Sequence, residues 1–301
     1  MLIRKYEPSD ENAAISLWNA SLSEDRINKE HFYTRIILEP GFDPNLYLLA
    51  EDAGYIIGFI YGAVRGEKAY IVSMGVCPKR RRNGIAKQLI SKLESIVKAQ
   101  GATTLDIGTY TGNYFFPGID EKNYANAVTL FDSLGYENKG ICSSMDMSLR
   151  EYQTPEKYIS RKKELQSLGY TFRSFNWSDS LPMFEFFREY FPHWLEGARA
   201  NALRGCGGET IQLAIDPSGK VVGFAMRAGD GTPGRFGPFG VAPTQQGTGL
   251  GGILFHNLVS DMVERRIFYT WFLWTGGRNL DIYATWGMKK YRNYTIMGKI
   301  L

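Results

Sequence analysis

The sequence predicts a mixed α/β protein made of two similar domains, each a mostly antiparallel mixed sheet flanked by helices. The chain has 301 residues, of which 44% are hydrophobic and 22% charged, and this suits two globular domains with their own cores. A strand, a glycine-rich turn and a helix occur in the same order in each half. Further landmarks recur at a nearly constant distance along the chain, which indicates an internal duplication.

The repeated segment begins with Gly-Val-x-Pro in both halves. Residues 75–86 read GVCPKRRRNGIA and residues 240–251 read GVAPTQQGTGLG. An apolar, β-prone run precedes each copy, and a proline ends the run because it has no N–H to donate to a continuing ladder. An apolar stripe at helical spacing follows each turn. The stripes are Ile85, Leu89, Leu93 and Val97 in the first copy and Leu250, Leu254, Leu258 and Met262 in the second.

Small residues in such a turn let backbone N–H groups converge at a helix N-terminus, where the helix dipole favours an anion. A single turn of this kind is more often a plain tight connection. Two copies with the same spacing predict a pyrophosphate site. The second copy also contains Gly247-x-Gly249-x-x-Gly252, a dinucleotide-binding pattern, but it follows a predicted meander rather than the first strand of a βαβ unit. A nicotinamide or flavin enzyme is therefore disfavoured.

These residues resemble the acyl-CoA-binding motif of the GNAT superfamily of N-acyltransferases, which is Arg or Gln, two residues, Gly, one residue, then Gly or Ala. Arg81 to Ala86 and Gln246 to Gly251 both match it. The resemblance implies a tandem protein that uses acetyl-CoA as co-substrate and needs no metal. The implied acetyl-CoA contacts are Val76, Arg81, Arg82, Asn83, Gly84, Ile85, Ala86, Val241, Gln246, Gly247, Thr248, Gly249, Leu250, Gly251 and Asn279.

The first half has the element order of one complete domain of this family. We expect strands at 2–6, 46–51, 55–65, 69–76 and 104–110, helices from Ser9-Asp10, at 28–37, from 85 to about 101 and at 125–134, and a last strand pair that ends near Leu149.

A charged helical run follows and predicts a linker at 151–168. The expected domains are therefore 1–150 and 169–301. The Ser-Asp pair at 9–10 returns at 178–179, an offset of 169 residues, and the motif glycines Gly84 and Gly249 are 165 residues apart.

The resemblance also implies a direct attack of the substrate amine on the thioester, with a base for the ammonium and an acid for the leaving thiolate. In many members of the family that acid is a tyrosine in the last helix, four residues before a closing glycine. Counting back from Gly287 gives Tyr283, whereas counting back from Gly135 gives Phe131. A phenyl ring transfers no proton, so catalysis is expected mainly in the second domain, with Tyr283 as the acid.

Several roles stay open at this point. Tyr110, Tyr114 or Tyr124 are alternative acids in the first half. The base is either a water relay or one of five side chains, four acids and a histidine. A residue of these types at such a position is more often a solvated surface residue than a catalytic base. These candidates are Glu67, Asp230, Glu189, His193 and Glu196.

The second half is rich in aromatic residues, which form either a core or the walls of an acceptor pocket. Rings hold flat or ammonium-bearing ligands, so we expect a small-molecule amine such as an aminosugar, an amino acid or an aminated antibiotic. A non-catalytic acyl-CoA sensor is the alternative function. The rings are Phe184, Phe186, Phe187, Tyr190, Phe191, Trp194, Trp271, Phe272, Trp274 and Trp286.

Composition disfavours other classes of protein. The three cysteines are odd in number and far apart, which fits free thiols in a reducing compartment, and no metal-ligand spacing occurs. The longest apolar run, 55–64, is too short to span a bilayer. The net charge is +4, and the dense basic run Lys79 to Arg82 coincides with the anion turn. We therefore expect a cytoplasmic protein with no membrane or nucleic-acid partner, and a homo-oligomer is left open.

Overall fold

The computed structural model describes residues 1–112 and 115–301. The chain divides into two compact units. Unit 1 contains Met1–Ser143 and Arg292–Leu301, and unit 2 contains Ser144–Tyr291. The end of the chain therefore belongs to the unit that its first half builds, a return that the expected sequence boundaries do not include.

Apart from a short strand at Ile119–Asp120 and the expected last strand pair, the elements of the first half follow the expected order. Its elements are β1 (Leu2–Lys5), α1 (Glu11–Ser21), α2 (Lys29–Phe32), β2 (Tyr47–Asp52), β3 (Tyr55–Arg65), β4 (Lys68–Val76), α3 (Ile85–Ala99), β5 (Thr104–Ile107), β6 (Ile119–Asp120), α4 (Ala125–Asp132) and β7 (Glu137–Ser148).

The remainder of the chain follows a similar order, with two additional helices and without a counterpart of β6 among the described residues. Its elements are α5 (Glu156–Ser167), β8 (Thr171–Ser174), α6 (Ser180–Tyr190), α7 (Leu195–Asn201), α8 (Gly207–Thr210), β9 (Ile211–Ile215), β10 (Val221–Arg227), β11 (Phe236–Val241), α9 (Leu250–Glu264), β12 (Tyr269–Thr275), α10 (Arg278–Thr285) and β13 (Lys289–Ile300).

The sheet of unit 1 has the strand order β1-β2-β3-β4-β5-β13-β7. Strands β1 to β4 are antiparallel neighbours, whereas β4 and β5 are parallel only from the pair Lys68 and Thr104 to the pair Ile71 and Ile107. Beyond Ile71, β4 continues to Val76 unpaired with β5. The two strands therefore separate at the end of β4 that leads into the turn.

The expected strand pair before Leu149 is wrong. The chain forms one strand there, β7, and Gly140 is accommodated inside it at φ +130° instead of ending it. The second strand of the pair is β13, which lies antiparallel to β5 with Met297 opposite Ile107. Local turn residues predicted a hairpin, but a strand from the end of the chain takes that place.

Unit 2 contains a four-stranded antiparallel sheet of order β11-β10-β9-β8. β11 touches β12 through a single parallel bridge between Arg235 and Trp271. The motif strand therefore separates from the following strand in this unit as well. Gly223 pairs with Val241 as Gly58 pairs with Val76, which places the two meanders in the same register.

The apolar stripes predicted after each turn are confirmed. Ile85, Leu89, Leu93 and Val97 are buried on α3, and Leu250, Leu254, Leu258 and Met262 are buried on α9. Helices α1 and α6 contribute further buried apolar residues to a separate cluster in each unit. Each unit thus has two hydrophobic clusters, which hold the motif strand and its turn in place.

The Ser-Asp pairs predicted as caps have a duplicated role. Asp10 accepts two hydrogen bonds from Arg4, at 2.7 Å each, and Asp179 accepts two from Arg173, at 2.5 and 2.7 Å. Each carboxylate also accepts a hydrogen bond, 2.8 Å long, from the backbone N–H three residues earlier in the chain. Neither carboxylate accepts one from an N–H of the α-helix that follows it, as a helix cap would. Arg4 and Arg173 are 169 residues apart, the offset of the Ser-Asp pairs.

Candidate active site

The two glycine-rich turns have the same backbone conformation. Arg82 and Gly247 are left-handed, with φ +64° and +81°, and Gly84 and Gly249 are left-handed two residues later, with φ +73° and +94°. Glycine adopts this conformation without a steric penalty, whereas Arg82 is one of the few non-glycine residues to do so. The duplication therefore extends to individual backbone dihedral angles.

Backbone donors are free at the start of both motif helices. The first intrahelical bonds run from Gln88 N to the Gly84 carbonyl, at 3.1 Å, and from Ile253 N to the Gly249 carbonyl, at 3.2 Å. The N–H groups of residues 85–87 and 250–252 precede these bonds and have no intrahelical acceptor. Together with the helix dipole they suit a phosphate group.

The first turn is open to solvent, and residues 78–84 are all exposed. Arg81 points inward, where Nε donates to the Val76 carbonyl at 3.2 Å and Nη2 donates to the Ser21 carbonyl at 3.1 Å. The Arg82 guanidinium contacts Asn126 of α4 at 3.4 Å. Arg81 therefore fixes the turn, while the neighbouring basic side chains stay at its surface. Sequence reasoning missed Asn126, for which no motif gives a signal.

The second turn contains no basic residue, but α5 brings one to it. Arg161 Nε donates to the Thr248 carbonyl at 2.8 Å. Tyr158 lies so close to α9 that a β-carbon built on Gly252 would be 2.2 Å from its Cε1 atom. The segment expected as a linker thus packs against the second motif, and the sequence signal that was missed is Gly252, where the first copy has Lys87.

Tyr283 lies in a group of aromatic rings. Its ring centroid is 4.7 Å from Phe272, 5.4 Å from Trp286 and 5.9 Å from Phe236. Burial raises the pKa of Tyr283, so the phenol is protonated at neutral pH. Among the described residues the hydroxyl has no hydrogen-bond partner.

Phe131 occupies the matching place in unit 1. Its carbonyl accepts from Leu134 N and Tyr136 N, at 3.0 and 3.1 Å, as the Tyr283 carbonyl accepts from residues 286 and 288 at 3.1 Å each. The Phe131 ring is buried against Tyr136 in the cluster beneath α3. The two positions are equivalent, and they differ by one hydroxyl group.

The other tyrosines proposed as acids have different surroundings. The Tyr124 hydroxyl donates to Asp25 at 2.8 Å and accepts from Glu24 N at 3.3 Å. Tyr110 is buried beside Glu39, and the two groups lack the geometry of a hydrogen bond. Burial together with Glu39 raises the pKa of Tyr110 to about 12. Tyr114 lies outside the described residues.

The candidate bases do not converge on the turns. Glu67 precedes β4, whereas the turn follows the other end of that strand, roughly 30 Å away at the rise of a strand. Asp230 likewise precedes β11 and is paired with Arg235 at 2.6 Å. Glu189, His193 and Glu196 are exposed on unit 2. Asn279 is exposed in α10.

Unit 1 has a patch of buried hydroxyl groups under its sheet. Tyr47 and Tyr61 are opposite each other on β2 and β3, and their hydroxyls are buried without a partner, as is that of Ser73. At the same register in unit 2, Ile211 lies opposite Met226. At this register pair, the described residues carry hydroxyl groups in unit 1 and apolar side chains in unit 2.

Glu39 lies close to this patch and is almost fully buried. Its carboxylate accepts from Gly41 N at 2.8 Å and is 3.4 Å from Arg65 Nη2, whose guanidinium lies over the Tyr110 ring. Sequence reasoning did not single out Glu39, because one acid before Pro-Gly resembles any turn residue.

The aromatic residues of the α6 region form core rather than an open pocket. Phe186 and Phe187 are buried, and the rings of Phe191 and Trp194 stack at 5.2 Å beside Phe224. A β-carbon built on Gly240 would meet the Phe191 ring at 2.5 Å. This packing favours the structural interpretation for the α6 group.

Residues 1–112 and 115–301 contain no group of three or more His, Cys, Asp or Glu side chains arranged to hold a metal ion. None of their helices is both long enough and apolar enough to cross a bilayer.

A mixed sheet in which the motif strand separates from its parallel neighbour, followed by a turn with free N–H groups at a helix N-terminus, is the arrangement expected of a GNAT acyltransferase. Residues 13–114 match the model of the acetyltransferase (GNAT) family. An acetyltransferase of Yersinia enterocolitica is 33% identical over 123 residues, which cover 40% of this chain and 85% of the relative. One of Pectobacterium atrosepticum is 32% identical with the same coverage. The chain belongs to the GNAT family of acetyltransferases.

Solved structures are similar over the whole chain. The glucosamine N-acetyltransferase region of a fungal GH3 β-N-acetylglucosaminidase has a TM-score of 0.85 at 18% identity, covering 99% of this chain and 38% of that one. A GCN5-related N-acetyltransferase of Sphaerobacter thermophilus has 0.75 at 19%, covering 99% and 95%. A tandem GNAT protein of the clavulanic acid pathway has 0.68 at 14%, covering 99% and 98%. The tandem GNAT fold is thereby confirmed.

Proposed function

We propose that this acetyltransferase moves an acetyl group from acetyl-CoA to the primary amine of a small molecule. The observation that carries the proposal is the duplicated turn, in which free N–H groups and two left-handed residues face an open surface. The amine attacks the thioester carbonyl directly in a ternary complex, its extra proton leaves to a base or water, and the thiolate leaves as CoA thiol.

Acetyl-CoA is proposed to bind by its pyrophosphate at both turns. The residues present fit this group, since a β-carbon built on Gly84 would meet only the Gln88 amide, at 3.9 Å, and one on Gly247 would meet nothing within 4 Å. The contacts are mainly backbone N–H groups of residues 82–86 and 247–251, supported by nearby cations. A contact between Asn279 and acetyl-CoA stays a prediction.

The chemical step is proposed for the second half, with Tyr283 as the acid that protonates the leaving thiolate. The support is the protonated phenol at the position where unit 1 has Phe131. In this assignment the first half supports the fold and binds CoA without turnover.

The acceptor is proposed to be a small amine, and an aminosugar is the first candidate to test. The fungal region of similar fold is a glucosamine N-acetyltransferase, and this motivates the choice of an aminosugar. The choice needs a direct test, because an overall fold by itself does not define a substrate. The exposed ring of Trp274 on β12 offers an aromatic surface for an ammonium group.

Release of CoA thiol from acetyl-CoA tests the proposal across a panel of glucosamine, amino acids, aminoglycosides and basic peptides. Acceptor-dependent release with small amines is the expected result, and basic peptides as better substrates would contradict the acceptor class. CoA binding in calorimetry without acceptor-dependent release would favour the rival function, a non-catalytic acyl-CoA sensor.

A further inference from the structure

We propose that Arg161 of α5 binds the pyrophosphate of acetyl-CoA at the second turn. The inference rests on the proposed function, because it concerns a turn assigned there. The first turn carries its own cations, in the run Lys79 to Arg82, whereas residues 244–248 of the second read TQQGT. A dianionic pyrophosphate is bound more tightly where charged donors accompany the backbone N–H groups, and α5 supplies one.

The position of Arg161 suits this role. Nε donates to the Thr248 carbonyl at 2.8 Å, and Nη1 is 2.6 Å from Glu164. A β-carbon built on Gly249 would lie 3.1 Å from Arg161 Cγ. Nη2 has no partner within the described parts of the chain, and the side chain is about one third exposed. The guanidinium is therefore held at the N-terminus of α9, next to the free N–H groups.

Helix α5 is fixed on α9 by several contacts. The Tyr158 ring lies 4.2 Å from the His256 ring, Lys162 Nζ donates to Asn257 at 3.0 Å, and the hydroxyls of Thr154 and Ser260 are 2.8 Å apart. Burial, with Lys157 nearby, lowers the pKa of His256 to about 4, so His256 is neutral under physiological conditions. Arg161 is consequently presented to the turn by a docked helix rather than by a mobile linker.

The first copy has no counterpart of this arrangement. At the positions of Gly252, His256 and Asn257, 165 residues earlier, α3 has Lys87, Ser91 and Lys92, which are exposed. The turn with basic residues of its own thus lacks a covering helix, and the turn without them has one. A shielding role, in which Arg161 keeps ligands away from the second turn, predicts the opposite effect of its removal.

The test isolates the second turn with Gly84→Glu, which disrupts the first turn because it introduces a carboxylate and places a side chain at a left-handed position, φ +73°. In this background we expect Arg161→Ala to weaken CoA binding by calorimetry about tenfold and to reduce its dependence on salt. Lys163→Ala, on the exposed side of α5, is the matched control and should bind as the background does.

A rescue variant separates a lost contact from a disturbed helix. Gly247→Arg places arginine at the left-handed position that Arg82 occupies in the first copy, so it should restore binding to Arg161→Ala. Unchanged or tighter CoA binding by Arg161→Ala in the Gly84→Glu background would overturn the proposal. It would also be overturned if the wild type binds one CoA molecule and the Gly84→Glu protein binds none, because the second turn would then bind no CoA. A wild type that binds none would instead refute the proposed function.

Discussion

Arg292 in the last strand donates two hydrogen bonds to Asp25, each 2.6 Å long, near the start of the chain. The same guanidinium contacts Asp120, and Asp25 also accepts the Tyr124 hydroxyl. Burial favours a higher pKa for Asp120, but the hydrogen bonds from Asn123 and Arg292 outweigh it, so the pKa of Asp120 is below its ordinary value. One residue of the returning strand thus pairs with two carboxylates of unit 1.

We expect Arg292→Met to destabilise unit 1 by about 3 kcal/mol, because it leaves two partly buried carboxylates without their cation. Hydrogen exchange of unit 1 peptides in the intact chain measures the effect. Lys299→Met is the matched control on the same strand, since Lys299 pairs with the more exposed Glu94 at 3.0 Å and should contribute less than about 1 kcal/mol. Equal losses in the two variants would contradict the assignment.

The role of β13 marks where sequence reasoning ends. Local patterns sufficed for the hairpin β2–β3, the turns and the motif helices, because periodicity and turn residues act within a few positions. The pairing of β13 with β5 depends on contacts between residues nearly 200 apart, which no local pattern encodes. Arg161 and Glu39 were missed for the same reason, since only folding brings them to the sites that they contact.

The duplicated ion pairs predict a pH dependence of stability. The hydrogen bond from Arg4 lowers the pKa of Asp10, and that from Arg173 lowers the pKa of Asp179. A carboxyl group whose pKa is lowered by folding stabilises the fold at any pH above its pKa in the unfolded chain, which is about 4. This contribution is lost as the pH falls through the pKa in the folded state.

Asp10→Asn should therefore reduce the free energy of unfolding by about 2 kcal/mol at pH 7 and flatten its decline below about pH 4. Denaturant unfolding from pH 7 to pH 2 measures this. Asp132→Asn, at an exposed position of α4, should leave the profile unchanged. A decline as steep as in the wild type would show that Asp10 does not contribute to it.

The buried hydroxyls of unit 1 predict a gain in stability. Tyr61 Oη is buried without a partner, so Tyr61→Phe removes an unsatisfied group and should raise the free energy of unfolding by about 1 kcal/mol. Tyr136→Phe is the matched control, because its hydroxyl donates to Glu94 at 2.9 Å and its loss should destabilise by about 1 kcal/mol. Destabilisation by Tyr61→Phe in urea unfolding would show that its hydroxyl has a partner, such as a buried water.

The assignment of catalysis is tested by Tyr283→Phe. Losing a positioned acid lowers turnover by about 10²- to 10⁴-fold, or roughly 3 to 5 kcal/mol of transition-state stabilisation. CoA affinity and stability should stay close to wild type, because the five surrounding rings still pack against the phenyl ring and the hydroxyl has no partner to lose. Steady-state thiol release and calorimetry on the same protein give both quantities.

Phe131→Tyr in the Tyr283→Phe background examines the first half directly. The Phe131 ring is fully buried against Tyr136 in the core under α3, so a new hydroxyl there meets packed side chains and should not restore turnover. Tyr55→Phe, at an exposed hairpin position, is the control for tyrosine loss in general and should be neutral. Wild-type turnover of Tyr283→Phe would refute Tyr283 as the acid. Loss of both turnover and CoA binding would show that Tyr283 is a structural residue instead. Recovery of turnover in the double variant would place the chemical step in unit 1.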